Sequence, residues 1–371
     1  MKLAIVTEFY YPHLGGITEH VHNLAKFSAR KGHDVTVITS NIGDNVGLKD
    51  SNYKIIRLGR SSVIYSNGSF ARFNMSFNTP RIVQEIFSRE RFDLISIQNP
   101  INPTLPFYAT LMCSDTATVG TMHTNFKSNV FATLCKPLLR KVFKQLDGTI
   151  TVSQCSAKVL RRYVDFIPKV IPNGVNTECF NPNVAKIARF DDEIKNIFFI
   201  GRFDPRSGLD KIIKIFPEIK RRYHNVRLII AGNGPLKNYY RSLAKHYDCA
   251  SDVHFVGYIR DERPEYYATA DIVVVPFQIS SFSITLLEAM AMGRPIVASD
   301  IEGHDELMDH EEEGLMFPFH DNNAFRDSIV TLLDNEEQAK KYGMKAYQRA
   351  QRYSWDSVTD EILAYYNEVL H

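Results

Sequence analysis

Three serines and a glutamate at the start of one predicted helix could bind a nucleotide. Ser280, Ser281 and Ser283 precede the helix, and hydroxyl side chains at such positions cap its first free N–H groups. A helix start rich in N–H groups suits a phosphate. Glu288 lies about one turn into the same helix, where its carboxylate could accept hydrogen bonds from the ribose hydroxyls of that nucleotide.

The elements on either side must place that helix start at the edge of a sheet. Residues 273–277 form a short apolar run that predicts a strand, and residues 296–298 begin the next one. Gly293 and Pro295 close the helix between them. This stretch is therefore predicted to be a parallel β–α–β unit, and in open α/β sheets ligands bind beside the carboxyl ends of the strands.

Gly15 and Gly16 mark a second such unit near the amino end of the chain. They lie between a predicted strand at residues 3–7 and a predicted helix at residues 17–31, which leads to a strand at residues 35–39. Glycine lets the backbone approach a pyrophosphate closely, although a plain tight turn is the alternative. The segment lacks the G-x-G-x-x-G fingerprint, which disfavours a nicotinamide oxidoreductase.

Cationic and imidazole side chains follow two further predicted strands. Arg202 and Arg206 come after the strand at residues 196–200. His123 ends the strand at residues 118–122, where the catalytic groups of an α/β domain gather. A single histidine is more often structural, so its position at the strand end is what favours a functional role.

The segment at residues 65–73 is polar and basic, and it contains Asn67, Ser69 and Arg72. Taken alone, such a segment indicates a surface hairpin or loop.

The composition allows two α/β domains and excludes several other classes. The chain has 371 residues, of which 44% are hydrophobic, and no apolar run approaches the roughly 20 residues of a membrane span. Its five cysteines are scattered without a C-x-x-C pair, so we expect reduced thiols in the cytoplasm, with neither a disulfide framework nor a metal site.

The charge is unevenly distributed between the two halves. Residues 1–170 contain 21 Lys and Arg against 11 Asp and Glu, a net +10, and residues 171–371 contain 23 against 31, a net −8. We therefore expect that only the first half meets an anionic surface, which could be a nucleic acid, a membrane face or a phosphorylated substrate. Cations that merely solvate helix faces are the alternative.

The stretch from Glu288 to Pro295, E-A-M-A-M-G-R-P, resembles the donor-binding element of the retaining glycosyltransferases of family 4. Those enzymes usually show E-x7-E, and Ser280 stands here in place of the first glutamate. The G-R of residues 201–202 is similar to the family's diphosphate loop, in which a lysine usually occupies the position of Ser207. Further similar segments are G-G-x3-H at residues 15–20, H-T at 123–124, I-P-N-G-V at 171–175 and Y-S-N-G-S at 65–69, the last resembling phosphatidylinositol mannosyltransferases of that family.

This resemblance implies the GT-B fold, in which two Rossmann-like, doubly wound parallel-sheet domains face a central cleft. It places an acceptor-binding domain at residues 1–170, joined by a terminal helix at about residues 354–371, and a donor-binding domain at residues 171–353. The catalytic residues that it implies are His123, Arg202 and Glu288. The donor-binding residues that it implies are Gly15, Gly16, Arg202, Arg206, Ser207, Tyr258, Ile259, Ser280, Phe282, Ser283, Ile284 and Glu288. The acceptor-binding residues that it implies are Phe9, Asn67, Ser69, Arg72 and Lys127.

The expected activity is the retaining transfer of a hexosyl group from a nucleotide sugar, preferably mannose from GDP-mannose, to a lipid-linked acceptor such as an inositol phospholipid. No metal, other cofactor or nucleic-acid partner is expected, and the expected location is the cytoplasm or, peripherally, the inner face of the cell membrane. Two alternatives stay open: a transferase that uses a UDP-sugar and another glycan or lipid acceptor, and a non-catalytic or impaired nucleotide-sugar binder. Ser280 and Ser207 motivate the second, because serine lacks the charge of the usual glutamate and lysine.

Overall fold

The computed structural model describes residues 1–13, 15–41, 52–59, 61–66, 69–74, 76, 78–113, 115–123 and 136–371, and only the backbone of residues 61–66 and 69–73. The chain forms two units, each built around one parallel sheet. The first unit comprises Met1–Gly174 and Trp355–His371, and the second comprises Val175–Ser354.

Nine strands of the first unit lie within the described residues. They are β1 (Lys2–Thr7), β2 (Asp34–Ser40), β3 (Lys54–Leu58), β4 (Ser61–Ser66), β5 (Ser69–Asn74), β6 (Leu94–Gln98), β7 (Ala117–Met122), β8 (Gly148–Thr151) and β9 (Lys169–Val170). Seven of them form a parallel sheet in the order β3-β2-β1-β6-β7-β8-β9. Residues 65–66 and 69–73 of the polar segment lie on β4 and β5, which pair in antiparallel orientation.

The helices of the first unit cover the sheet with their apolar faces. Those described before the unit boundary are α1 (Gly16–Arg30), α2 (Thr79–Glu90), α3 (Leu105–Met112), α4 (Lys136–Phe143) and α5 (Gln154–Leu160). In α1, Val21, Leu24, Ala25 and Ser28 are buried at helical spacing, as the sequence pattern predicts.

The second unit repeats the same architecture with a six-stranded sheet. Its strands are β10 (Lys195–Ile200), β11 (Val226–Ala231), β12 (Val253–Gly257), β13 (Ile272–Val275), β14 (Ile296–Asp300) and β15 (Leu315–Pro318). Its helices are α6 (Leu209–Arg222), α7 (Lys237–His246), α8 (Arg263–Thr269), α9 (Ile284–Ala291), α10 (Glu302–Asp305), α11 (Asn322–Asp334) and α12 (Glu336–Ala350), with short 3₁₀ turns at Ala188–Phe190, Pro205–Ser207 and Gln351–Tyr353.

The strand order of the second sheet, β12-β11-β10-β13-β14-β15, is that of a doubly wound dinucleotide-binding domain. All residues of β11 are buried, because helices cover both faces of a parallel sheet. The direction of winding reverses between β10 and β13, and in the first sheet it reverses between β1 and β6. Ligands of such folds bind at the carboxyl ends of the strands beside these two points.

The last helix, α13 (Trp355–Leu370), returns the chain to the first unit. Val358 and Ile362 share one buried cluster with Val21 and Leu24 of α1. Trp355 is buried against Gly174, where a Cβ atom would lie only 2.8 Å from the indole. The first unit is therefore complete only when both ends of the chain are present.

Candidate active site

One carboxylate organises the loop after β10, which carries the cations of the second unit. Asp204 is buried, and its side chain accepts a hydrogen bond from the Arg206 amide at 3.0 Å. Arg206 Nη2 lies 3.5 Å from the same carboxylate and Arg202 Nε lies 4.0 Å from it. Burial lowers the pKa of Arg202, and the Asp204 charge opposes that shift, so the guanidinium stays charged at neutral pH. Two guanidiniums thus share one carboxylate, which leaves a net positive charge for an anion.

Two glycines let the neighbouring loops approach one another through their backbones. Gly208 has a φ of +64°, and a Cβ atom there would lie 1.8 Å from the carbonyl oxygen of Pro276, just beyond β13. A Cβ atom on Gly232, after β11, would lie 1.9 Å from the carbonyl oxygen of Gly201. These contacts hold the ends of β10, β11 and β13 together, which places the arginine loop next to the segment leading into α9.

Ser207 points into the unit, where the similar enzymes usually have a lysine. Its hydroxyl donates to the carbonyl oxygen of Asp204 at 2.8 Å and lies 3.4 Å from the Tyr240 hydroxyl. The neighbouring Arg206 has a buried Nε without a hydrogen-bond partner among the described residues. The positive charge of this loop therefore comes from Arg202 and Arg206.

The serine-rich segment forms the helix start that the sequence predicts. Ser283 is the N-cap of α9, and its Oγ accepts a hydrogen bond from the Leu286 amide at 3.3 Å. Ser280, Phe282 and Ile284 are half-buried around it. The backbone of Ser280 is held closely, since a Cβ atom on Gly303 would lie 2.2 Å from its carbonyl oxygen.

Glu288 is buried and already has two partners within the second unit. Arg263 Nη1 lies 3.0 Å from its Oε1, and the Tyr267 hydroxyl donates to its Oε2 at 3.0 Å. These two contacts orient the Glu288 carboxylate. Sequence reasoning missed Arg263 and Tyr267: they share a face of α8, but nothing in the sequence connects them to a residue more than twenty positions away.

The two candidates after β12 face opposite ways. Tyr258 is exposed, whereas Ile259 is buried in the core of the second unit. Gly257, with a φ of +83°, makes the turn before them. Ile259 can therefore serve a ligand only through its backbone, which is the contact that the family resemblance implies for this segment.

In the first unit, Gly15 and Gly16 stand at the start of α1. Both are exposed, and Gly15 has no side chain with which to cap the helix. The first N–H groups of a helix have no partner within it and carry its positive dipole end. This helix start is suited to an anion.

Phe9 and Glu8 lie directly after β1. The Phe9 ring stacks on the His13 ring with centroids 4.7 Å apart. Glu8, which the sequence did not single out, is buried and accepts hydrogen bonds from the amides of Asn74 at 2.6 Å and Leu105 at 3.3 Å. Burial raises its pKa. Glu8 thereby ties the end of β5 and the start of α3 to the carboxyl end of β1.

His123 is nearly buried at the end of β7. Its amide donates to Asn99 Oδ1 at 2.9 Å, and its Nε2 lies 2.7 Å from Gln98 Oε1. The ring of His20 meets it edge-on at 4.5 Å, and His20 Nδ1 lies 2.8 Å from Asn173 Oδ1. Burial, with a smaller effect of His20, holds the pKa of His123 well below its usual range, so the imidazole is neutral at pH 7.

The remaining acceptor candidates fall partly outside the described residues. Asn67 and Lys127 are not among them. Ser69 and Arg72 belong to β5, where the backbone pairs with Ser66 and Val63, and their side chains are not described.

The described part of the chain contains neither a metal-binding cluster nor a helix that could span a membrane. No group of three His, Cys, Asp or Glu side chains there could hold a metal ion. None of its helices is both long enough and apolar enough to cross a membrane.

Two family models together match most of the chain. Residues 14–179 match Glycosyltransferase Family 4, and residues 181–349 match Glycosyl transferases group 1. The two matches divide close to the boundary between the two units.

Curated proteins and solved structures of similar length also match. The chain is 27% identical over 372 residues to the phosphatidyl-myo-inositol mannosyltransferase of Mycolicibacterium smegmatis, covering 100% of this chain and 94% of that protein. It is 27% identical over 375 residues to the enzyme of the same name from Mycobacterium leprae, covering 100% and 97%. The structure of a sucrose-phosphate synthase from Thermosynechococcus elongatus superimposes with a TM-score of 0.81 at 21% identity, covering 99% of this chain and 98% of that one.

Proposed function

Because this chain belongs to the glycosyltransferases that join a Family 4 domain to a group 1 domain, we propose that it transfers mannose from GDP-mannose to an inositol phospholipid. The chain is a hexosyltransferase with the GT-B fold. The observation that carries the choice of sugar and acceptor is its similarity, over its whole length, to phosphatidyl-myo-inositol mannosyltransferases.

The donor-binding part of the proposal rests on the second unit. Arg202 and Arg206 neutralise the diphosphate, and the N–H groups at the start of α9 add to that field. Glu288, oriented by Arg263 and Tyr267, accepts hydrogen bonds from the ribose hydroxyls. The backbone beside Ile259 meets the base, and Ser280 bonds the sugar.

The proposed chemistry is a transfer with retention of configuration at the anomeric carbon. The acceptor hydroxyl attacks that carbon from the side of the leaving group while the bond to the diphosphate oxygen breaks. The departing phosphate oxygen takes the hydroxyl proton, so the products are the glycosylated lipid and GDP. His123 bonds the transferred sugar, and the first N–H groups of α1, behind Gly15 and Gly16, face the donor phosphates.

The charge and surface of the first unit support a lipid acceptor. Residues 136–169 contain eight Lys and Arg against two Asp and Glu. Leu138, Phe166 and Ile167 are exposed within that segment, Ile167 by 80%. Arg140 holds Asp165 at 2.7 Å, which fixes α4 beside the loop that carries the two other apolar residues. We call Leu138, Phe166 and Ile167 with the surrounding cations the basic-apolar surface. Its chemistry suits an anionic membrane face, where the apolar residues insert and the cations meet lipid phosphates.

The acceptor-binding contacts are proposed on the basis of family resemblance. Phe9 is available after β1, and Asn67, Ser69, Arg72 and Lys127 supply polar and cationic groups for the inositol phosphate head. Arg72 and Ser69 lie on the hairpin strand whose last residue, Asn74, is bound by Glu8. Glu8 therefore anchors that hairpin to the sheet.

One observation favours an impaired or non-catalytic nucleotide-sugar binder as the second candidate. The Ser207 hydroxyl is used inside its own loop, so the cation that the similar enzymes place there has no direct substitute at that position. Ser280 likewise offers a neutral hydroxyl, whose hydrogen bonds contribute about 1 kcal/mol against roughly 1.5–3 kcal/mol for those of a charged group.

The test is the release of nucleoside diphosphate from GDP-mannose and from UDP-glucose, with and without vesicles that contain phosphatidylinositol. We expect release from GDP-mannose that requires the inositol lipid. Release of nucleoside diphosphate from UDP-glucose and not from GDP-mannose would show that the proposed donor is wrong. Release that requires a different lipid would show that the proposed acceptor is wrong. Calorimetric binding without release of either nucleotide would favour the binder. Arg202→Ala serves as the control for turnover at this site.

A further inference from the structure

Three hydrogen bonds in series connect the last helix of the chain to His123. Tyr366 of α13 donates its hydroxyl to Ser96 Oγ at 2.7 Å, and Gln98 Nε2 donates to the same oxygen at 2.8 Å. Gln98 Oε1 then lies 2.7 Å from His123 Nε2. Tyr366, Ser96 and Gln98 are almost completely buried, so water does not compete for these bonds.

The sheet explains how residues so distant in sequence come together. Ser96 and Gln98 are two positions apart on β6, so their side chains lie on the same face. Gln98 pairs with Thr121 of β7, two residues before His123. Tyr366 is fully buried on the side of α13 that covers this face.

This series determines which nitrogen of His123 carries the proton. An amide carbonyl oxygen can only accept a hydrogen bond, so His123 must donate through Nε2–H. In a neutral imidazole the other nitrogen, Nδ1, is then an acceptor. The orientation of the Gln98 amide is in turn fixed by Ser96, whose oxygen accepts from both Tyr366 and Gln98.

We propose that Tyr366, Ser96 and Gln98 are positioning residues that hold His123 in its Nε2–H tautomer and thereby present Nδ1 to a hydroxyl group of the transferred sugar. This inference rests on the proposed function, in which His123 bonds that sugar. Without the Tyr366 hydroxyl, nothing in this series holds Ser96 Oγ in place to accept from Gln98 Nε2, so the Gln98 amide can reverse. Its N–H₂ then donates to His123 Nε2, the ring proton moves to Nδ1, and Nδ1 can no longer accept a hydrogen bond.

The same helix offers a matched control. Tyr365 is adjacent to Tyr366, and its hydroxyl accepts a hydrogen bond from the Thr149 amide at 3.1 Å, outside the series. Tyr365→Phe and Tyr366→Phe therefore each remove one hydroxyl with one partner from the same helix. Gln98→Met removes the acceptor of His123 directly and tests the proposal even if Tyr366→Phe does not fold.

The experiment combines ¹⁵N NMR of the histidine ring nitrogens in the full-length protein with kcat and KM for transfer. We expect Nε2–H for His123 in the unsubstituted protein and in Tyr365→Phe, and a mixture with Nδ1–H in Tyr366→Phe and Gln98→Met. The kcat of Tyr366→Phe should fall roughly five- to tenfold, as for the loss of one buried hydrogen bond, with KM for the donor nearly unchanged.

Two results would overturn the proposal. One is an Nδ1–H tautomer in the unsubstituted protein, and the other is an unchanged tautomer and kcat in both Tyr366→Phe and Gln98→Met. The tautomer is read without any turnover. If no hexosyl group is transferred by the unsubstituted protein, the proposed function fails separately from the hydrogen-bond series.

Discussion

At the scale of single residues, the site depends on buried polar groups whose partners lie far away in sequence. Glu288 is the clearest case, because a carboxylate at a helix start looks like a free ligand group in the sequence. In the structure it is held by Arg263 and Tyr267, two residues of a different helix. The effect of Glu288 on stability and its proposed contact with the nucleotide can therefore be separated by substitution.

We predict that Glu288→Gln lowers the free energy of unfolding by about 3 kcal/mol, because it removes the buried charged partner of the half-buried Arg263 guanidinium. Urea unfolding measures this loss. The double variant Glu288→Gln, Arg263→Met should recover much of it, since no unpaired charge remains. Calorimetry should find weak nucleotide binding in both variants. Full binding by the double variant would mean that Glu288 does not contact the nucleotide.

A second prediction concerns His304, which is fully buried and donates Nδ1–H to the carbonyl oxygen of Ser299 at 2.8 Å. Burial lowers its pKa to about 4, whereas an unfolded chain binds this proton with a pKa of about 6.5. Between these two pKa values the unfolded state therefore binds more protons than the folded state. The contribution of His304 to stability is fully present above pH 6.5 and is lost as the pH falls toward 4.

This single histidine should account for about 2 kcal/mol of stability lost between pH 7 and pH 5. Urea unfolding at the two pH values should show a smaller difference for His304→Asn than for the unsubstituted protein. His320→Asn, at an exposed histidine of the same unit, controls for the change of residue type. An equal pH dependence in the unsubstituted protein and His304→Asn would contradict the prediction.

At the scale of elements, the candidate site is an assembly of strand-end loops that touch through glycine backbones. The sequence locates these loops well, because alternating strand and helix patterns with glycine or serine at the junctions are local features. The helix start at Ser283 and the glycine pair before α1 are of this kind. The inward direction of Ser207 and the Glu288–Arg263 pair are not, because they depend on packing between elements that the sequence does not connect.

We predict that Gly208→Ala is strongly destabilising, by more than about 2 kcal/mol, because the added methyl group would collide with the Pro276 carbonyl as well as strain a left-handed backbone. Nucleotide binding should be lost with it, since the arginine loop can no longer approach the end of β13. Thermal unfolding and calorimetry measure the two effects.

Gly257→Ala is the matched control for that substitution. Its φ is also positive, at +83°, but a Cβ atom there meets nothing within 4 Å, so only the backbone strain of roughly 1 kcal/mol remains. Equal losses in the two variants would show that the contact between the loops is unimportant.

At the scale of the whole molecule, the two halves of the chain differ in the sign of their net charge. The first half carries a net +10 and the second a net −8. The basic-apolar surface adds three exposed apolar side chains to the positive half. If the acceptor is an anionic lipid, attraction to the membrane should be confined to the first unit and should weaken with salt.

We predict that Ile167→Asp lowers binding to vesicles containing an anionic phospholipid several-fold, because it replaces an inserting side chain with a charge repelled by the lipid. Sedimentation with the vesicles measures this binding at low and high salt. Ile194→Asp introduces the same change at an exposed isoleucine of the acidic unit and should have little effect. A similar loss of vesicle binding in both variants would argue that the basic-apolar surface does not bind the membrane. Vesicle binding that does not change with salt would argue the same.

The division of the first unit between the two ends of the chain has a consequence for biosynthesis. Domains are generally completed in the order in which the ribosome makes them, amino-terminal first. Here the second unit is one continuous stretch of chain and can fold before the first unit does. The first unit can fold completely only after Trp355 packs beside Gly174 and Tyr366 bonds Ser96. A chain released before its last few residues would carry a finished second unit and an unfinished first one. Translation to the final helix is thus a built-in condition for the arrangement around His123.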